Sequence, residues 1–344
     1  MKIASAYIEI NNTCNLNCRS CYNRSGRPHP VKELPFVGLR RIAARLIQEF
    51  GCESISLSGG EPTLHSEFDE ILTHLLSYPH LRVGVVTNGT TGRRLQGLIG
   101  AYPIHPQLKV QVSLDGSCEE VNAKTRGKGS FQTAVSTLSA LRSVNAGKSP
   151  TMKMVISKEN LQDVEAYYRF AVSMGCEPDF EFVSAMGNAS DAGDFFEPTA
   201  KEKLSVIRIL DRLNEEYGKE VQLPFCTSRC PLGQKNSALS VLIKCDGSVQ
   251  PCQLLYDGSY TIGNLLQDET ASLEAAFAAI SELAEERSKA SEKCARCVAR
   301  RNCERGCMAL AVMKNGDPLA DDGECTFRKL QLLGYAVMKQ GENK

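Results

Sequence analysis

The chain has 344 residues, 42% of them hydrophobic, enough for a sizeable core and too many for a disordered chain. Lys plus Arg number 40 and Asp plus Glu 40, so no charge excess points to nucleic acid or an anionic membrane as a partner. No apolar run nears the ~20 residues of a membrane span, and the opening MKIASAYIEI alternates like a strand without a signal-peptide core, which predicts a cytoplasmic protein.

The first strand-like run, near residues 3–10, leads into NNTCNLNCRSCYN, where Cys14, Cys18 and Cys21 are spaced CxxxCxxC. The chain holds 15 cysteines. In a reducing cytosol a disulfide framework is disfavoured, and metal or redox chemistry is favoured. A structural zinc site takes four protein ligands, so zinc would need a distant fourth. A cubane iron–sulfur cluster on three thiolates leaves one iron open to a non-protein ligand. The helix-period segment VGLRRIAARLIQEF follows, then a strand near 53–58 and the stretch SLSGGEPTL. There Gly59 and Gly60 let the backbone approach a ligand closely. Glu61 can accept from an ammonium group, and Pro62 stiffens the exit. Alone, this stretch reads as a tight turn after a strand.

Together, CNLNCRSC and GGEP resemble the motifs of the radical S-adenosylmethionine (SAM) superfamily. The resemblance implies a [4Fe–4S] cluster on Cys14, Cys18 and Cys21, whose open iron is chelated by the amino and carboxylate groups of SAM. It implies that an electron from the cluster cleaves SAM to a 5′-deoxyadenosyl radical, which abstracts a hydrogen atom from substrate. Farther on, LRVGVVTNGT ends in Asn88-Gly89, as third strands of the family often do. In LKVQVSLDG, Ser113 and Asp115 share one face of a strand; the resemblance puts Ser113 near the SAM ribose, with Asp115 a second candidate. AKTRGKGSF matches an RG-x-G-S-F step and implies that Arg126 contacts the SAM carboxylate, where a lone arginine would read as a surface cation. Many members carry an aromatic residue just before the third cysteine, against adenine. Here that residue is Ser20, with Tyr22 one place later, so adenine falls to a backbone or apolar contact such as Val183, which otherwise reads as core.

Strand-like runs near 3–10, 53–58, 81–87, 108–114, 151–157 and 178–184 alternate with helix-period segments such as SFQTAVSTLSALRSV and NLQDVEAYYRFAVSM. The pattern predicts an α/β fold, a partial (β/α)6 barrel whose active face lies at the C-terminal strand ends. A Rossmann-like sheet is the alternative, but no G-x-G-x-x-G follows the first strand. The barrel is expected over 1–190, a helical linker with AKEKLSVIRILDRLNEEYG over 191–225, and a small cysteine-rich domain over 226–344.

In that last part, CDGSVQPC, CARCVARRNCERGC and Cys325 resemble the SPASM extension of radical SAM enzymes, which typically holds two auxiliary [4Fe–4S] clusters. The resemblance gives Cys226, Cys230, Cys252 and Cys307 to one and Cys294, Cys297, Cys303 and Cys325 to the other, three clusters in all. A zinc ribbon on Cys294, Cys297, Cys303 and Cys307 is the alternative. Cys245, in a KCDG turn that looks like a hairpin, is left over. It could replace Cys226 or Cys230, donate a hydrogen atom in an epimerisation, or be structural. Cys52, Cys118 and Cys176 read as small buried hydrophobes, although Cys118 follows the fourth strand and could face SAM.

SPASM proteins often mature peptides by crosslinking, epimerisation or oxidation; others act on sugars or cyclitols as dehydrogenases or epimerases. In anaerobic sulfatase-maturating enzymes an Asp follows the cysteine that matches Cys252 and serves as base. Here Gln253 stands there and cannot take a proton. The first strand begins within ten residues, leaving no room before it for a leader-binding domain. That favours a small molecule, or a peptide recognised by the barrel or a separate partner. The expectation is a cytoplasmic radical SAM/SPASM enzyme acting on a peptide, supplied with electrons by a flavodoxin or ferredoxin. The alternatives are the same chemistry on a small metabolite, or a non-enzymatic iron–sulfur or zinc protein.

Overall fold

Alternation of period two in six successive runs yields six parallel strands: β1 (Ile3–Asn11), β2 (Ser54–Gly59), β3 (Arg82–Thr87), β4 (Leu108–Ser113), β5 (Thr151–Ile156) and β6 (Glu177–Phe182). They pair in sequence order, as expected for a partial barrel. The computed structural model describes residues 2–91, 94–95, 97, 107–144, 149–191, 193, 196–224, 230–234, 239–256, 258–289, 291–300 and 303–331.

Past residue 226 the sheet continues. Strand β7 (Leu239–Ile243) pairs in parallel with β1, and β8 (Ser248–Gln250) and β9 (Gly263–Asn264) add on antiparallel. The order is β6-β5-β4-β3-β2-β1-β7-β8-β9, an open sheet. The KCDG turn is the β7–β8 hairpin, closed by Gly247 N–H donating to the Lys244 carbonyl at 2.8 Å with Gly247 at φ +85°. The cysteine-rich part thus supplies strands to the same sheet as the barrel.

One face of the sheet is apolar. Ile8, Leu57, Val85, Val112 and Met154 are fully buried on the side of the helices α1 (Phe36–Gln48), α2 (Phe68–Leu76), α3 (Glu119–Arg126), α4 (Ser130–Val144) and α5 (Val164–Ser173). Helix α1 shows why: Leu39, Ile42, Ala43 and Leu46 form its buried stripe at helical spacing. The alternate residues Tyr7, Ser58, Gln111, Lys153 and Glu181 line a cavity instead. Parallel sheets are normally apolar on both faces; this polar inner face leaves room for a ligand.

Helix α6 (Ala200–Tyr217) starts at a capping box, in which Thr199 Oγ1 accepts from Glu202 N–H and Glu202 accepts from Thr199 N–H at 2.7 Å. It is followed by α7 (Thr270–Lys289) and α8 (Met308–Asn315). Among the described residues no helix is long and apolar enough to cross a membrane. Lys203 on α6 donates to Glu324 at 2.9 Å and to Glu197 at 3.1 Å, and its ammonium lies over the rings of Phe182 and Phe327. The Lys203–Glu324 pair is buried and ties α6 to the C-terminal part. Removing one partner of a buried pair costs about 3–5 kcal/mol. Lys203→Ala is expected at the low end of that range, because Lys314 still faces Glu324 at 3.4 Å. A urea midpoint equal to wild type would exclude this clamp.

Candidate active site

The segment after β1 that carries the three cysteines has neither helix nor strand, so neighbouring strand ends must hold it. After β2, Glu61 N–H donates to the Thr13 carbonyl at 2.9 Å and Gly60 N–H to the Asn11 carbonyl at 3.0 Å. After β3, Asn88 Nδ2 reaches Cys14 Sγ at 3.6 Å. At the end of α3, the Thr125 carbonyl accepts from Arg19 N–H at 2.8 Å. After β6, Asn188 donates its N–H to the Cys21 carbonyl and its Nδ2 to the Cys18 carbonyl, both at 2.8 Å. Gly60 must be glycine for a steric reason: a Cβ there would overlap the Thr13 carbonyl and crowd Cys14 N.

Cys14, Cys18 and Cys21 line a cavity of about 250 Å³ together with Gly59, Gly60, Ser113, Arg126 and Val183. These residues, each expected at the site, thus meet in one place, and Ser20 and Tyr22 share the wall. Glu61 and Asp115 are not in it. Glu61 is buried, and its carboxylate accepts from Thr63 and Thr87 Oγ1 and from Asn88 N–H at 2.7 Å, which shapes the turn. Asp115 is likewise buried behind Arg126, with Arg126 Nε 2.8 Å from Oδ2 and Nη2 donating to Oδ1 at 3.2 Å. Thr125 Oγ1 and Val155 N–H, each at 2.9 Å, occupy the same carboxylate. Asp115 therefore orients Arg126.

The site's electrostatics fit an anionic ligand and a metal centre. Arg126 Nε lies close to Asp115 but out of line for a hydrogen bond, so this buried donor lacks a partner in a cavity wall. Burial works against the Arg126 charge, but Asp115 and Cys18 outweigh it and hold its pKa above the ordinary value. Burial pushes the Cys14 thiol up, and pushes Cys18 up to about 12 despite Arg126. Buried thiols of this kind ionise when a bound metal offsets the cost of desolvation.

A second cavity of about 680 Å³ shares Tyr22, Ser58, Gln111, Lys153, Glu181 and Gln253 with the first. Its far wall carries Cys230, Cys252 and Cys307. Burial, together with the neighbouring thiols, pushes Cys252 up to about 11 and Cys307 up to about 12. Cys226, expected with them, lies outside the described residues. Cys245 is not among the residues lining either cavity; its electrostatic neighbours are Glu9, Asp246 and Lys32. Cys294 and Cys297 sit on one turn, with Cys297 N–H donating to the Cys294 carbonyl at 3.1 Å. Cys303 accepts from Arg328 Nη1 at 3.5 Å, and Cys325 lies one helical turn before Arg328. Cys52 and Cys176 are buried as expected. Cys118 is exposed instead, because it occupies the N-cap of α3.

Sequence reasoning missed two groups. Glu9, on the inner face of β1, is buried and accepts from Tyr22 Oη at 2.8 Å, Asn23 Nδ2 at 3.1 Å and Tyr256 Oη at 3.1 Å; burial raises its pKa. Lys153 on β5 pairs with Asp179 and Glu181 on β6, each at 3.1 Å. The polar positions of β5 and β6 at period two were the available signal for this second group.

Residues 8–171 match the family model described as Radical SAM superfamily. Mycofactocin maturase MftC of Mycolicibacterium smegmatis is 28% identical over 328 residues, covering 92% of this chain and 81% of the relative. Sporulation killing factor maturation protein SkfB of Bacillus subtilis is 27% identical over 289 residues, covering 78% and 64%. Among solved structures, tagged anSMEcpe with bound AdoMet superposes with a TM-score of 0.74 at 18% identity, over 99% of this chain and 96% of that one. Streptococcus suis SuiB bound to precursor peptide SuiA superposes at 0.74 and 15% identity, over 94% and 76%. Both share the fold.

Gly60→Ala is expected to push the Thr13–Cys14 backbone out of place. Iron per chain after anaerobic reconstitution should fall while far-UV circular dichroism stays unchanged. Full iron uptake would show that the close approach is not required.

Proposed function

The chain belongs to the radical SAM superfamily and is an enzyme of it, and from that premise we propose that it modifies a peptide by radical chemistry, through crosslinking, epimerisation or oxidation. Cys14, Cys18 and Cys21 would hold a [4Fe–4S] cluster, which when bound would supply the electron for reductive SAM cleavage and hydrogen abstraction. What supports the reading is that these cysteines share one cavity wall with Gly60, Ser113 and Arg126, and that this cavity adjoins a larger one. The named relatives are maturases of mycofactocin and of the sporulation killing factor, and the SuiB structure holds a precursor peptide.

In this reading the Arg126 guanidinium takes the SAM carboxylate, with Asp115 fixing its orientation from behind. Ser113 faces the ribose and Val183 the adenine, while Glu61 holds the GGEP turn that frames the amino group. The larger cavity admits the peptide, and Tyr22, Lys153, Glu181 and Gln253 face it. The barrel spans 1–190, the linker 191–225, and 226–344 holds two auxiliary clusters, on Cys226, Cys230, Cys252 and Cys307 and on Cys294, Cys297, Cys303 and Cys325. Cys245 remains the candidate hydrogen donor for an epimerisation; without such a role it replaces Cys226 or Cys230 as a ligand, or is structural. The enzyme works in the cytoplasm with a flavodoxin or ferredoxin as reductant.

Anaerobically reconstituted protein should bind about twelve irons, as three four-iron clusters, and replacing Cys14, Cys18 and Cys21 together by Ala should remove about a third of them. With a strong reductant the wild type should cleave SAM to 5′-deoxyadenosine and methionine, and the triple variant should make none. Zinc without iron, or SAM cleavage by the triple variant, would contradict the reading. Arg126→Lys keeps the charge but loses the planar fork. A lost charged hydrogen bond costs roughly 1.5–3 kcal/mol, so SAM affinity should fall roughly tenfold or more, as measured by equilibrium binding.

A further inference from the structure

Between the two auxiliary cysteine sets runs one hydrogen-bonded chain that neither set requires for ligation. The Cys307 backbone N–H donates to Asp322 Oδ2 at 2.9 Å. The same carboxylate oxygen pairs with Arg328 Nη2. Arg328 Nη1 in turn donates to Cys303 Sγ at 3.5 Å. Asp322 is 0% and Arg328 3% exposed, so the pair is sealed from water. Gly306, at φ +72°, is the residue that makes room for it: a Cβ there would overlap both the Asp322 carboxylate and the Arg328 guanidinium. Asp322 Oδ1 also accepts from Glu324 N–H at 3.1 Å, which fixes the carboxylate at the start of the segment carrying Cys325 and Arg328. Cys325 and Arg328 are three residues apart in a helical stretch and so share one face.

A guanidinium is suited to this position because its donors leave in fixed directions and can serve a carboxylate and a sulfur at once. A donor aimed at a ligating sulfur withdraws electron density from it. That stabilises the reduced, more negative state of an iron–sulfur centre over the oxidised one, and hydrogen bonds to sulfur and local charge are among the terms that set cluster potentials. The sulfurs of Cys252 and Cys307 are met differently. Their donors are backbone N–H groups, of Leu254 and Leu255 for the first and of Ala309 and Leu310 for the second. Those donors are neutral, whereas the one at Cys303 carries a full charge.

We propose that Arg328 is a positioning residue that raises the reduction potential of the auxiliary centre held by Cys303 and Cys325, with Asp322 fixing its orientation against Cys307. The inference rests on the reading that residues 226–344 hold two auxiliary clusters. The charged donor reaches a sulfur of only one of the two, so its removal shifts that potential the most.

The test is a redox titration followed by electron paramagnetic resonance on the anaerobically reconstituted full chain, with iron counted in parallel. Three proteins are compared: wild type, Arg328→Lys, and the double variant Arg328→Gln/Asp322→Asn. The double variant removes both charges together, so no buried carboxylate is left unpaired. Both variants should keep wild-type iron. One auxiliary centre should move to lower potential, by about tenfold in its reduced-to-oxidised ratio at a fixed potential, about 59 mV for one electron. The centre on Cys14, Cys18 and Cys21 should not move, and the auxiliary centre that Cys307 serves should move less than the first, because Asp322 meets only the backbone N–H of that cysteine. Unchanged potentials in both variants with full iron would overturn the inference and leave the cluster reading standing. Iron loss from both folded variants would overturn it in favour of a purely structural pair. Wild-type protein with fewer than two auxiliary clusters would overturn the reading beneath it.

Discussion

The close approach of the Gly60 backbone to the Thr13–Cys14 segment is the contact on which the rest of the site depends. The cysteine segment has no repeating hydrogen-bond pattern of its own and cannot hold three thiols in a fixed array alone. It is held by bonds from the ends of β2, β3 and β6 and from the end of α3. These strand ends are brought together only by the parallel sheet, so the thiol geometry reports the register of the whole barrel. A side chain at position 60 would overlap the Thr13 carbonyl and crowd Cys14 N, whereas Asn88 and Asn188 also reach the segment through side chains that can adapt.

The same sheet explains where substrate can go. Helix-facing positions are aliphatic and carry the core, whereas the inner positions hold Ser58, Gln111, Ser113 and Lys153. Side chains that are small or polar do not fill a barrel, and the open edge of the sheet at β6 keeps the interior accessible. Within it Lys153 is balanced by two carboxylates, Asp179 and Glu181, which leaves an excess of negative charge on that wall. Part of Glu181 is exposed to the cavity, so that wall offers an acceptor to a donor group on the bound molecule.

Much of this was legible in the sequence, for a physical reason. The barrel strands alternate apolar and polar residues because one face meets helices and the other meets a cavity, and that alternation is local. The cysteine spacing and GGEP are local too. What was not legible depends on pairing between distant segments. Glu61 and Asp115 look like ligand contacts because they are acidic and lie at strand ends; in the fold each is turned away, one satisfied by Thr63, Thr87 and Asn88, the other by Arg126, Thr125 and Val155. Cys118 reads as a buried thiol from its type alone, but a helix begins directly after it and leaves it on the surface. The addition of β7 to β1 could not be read either, since nothing local to residues 239–243 names the strand they join.

The C-terminal part has an imbalance that its protein atoms alone do not resolve. Arg287 is fully buried and donates to the carbonyls of Ala320 and Arg305, which are neutral. Burial lowers its pKa, and neighbouring Arg305 lowers it further, while Asp322, Cys307 and Cys230 act in the other direction. Asp322 is already paired with Arg328. A buried cation without a full counter-charge costs several kcal/mol, and arginine does not shed its proton to escape that cost. Among the groups that act in the other direction are the thiols of Cys230 and Cys307. As neutral thiols they contribute little, but as thiolates around a metal centre they supply the missing negative charge. Ionised thiols at Cys230 and Cys307, the state that metal ligation imposes, would offset part of the cost of burying Arg287.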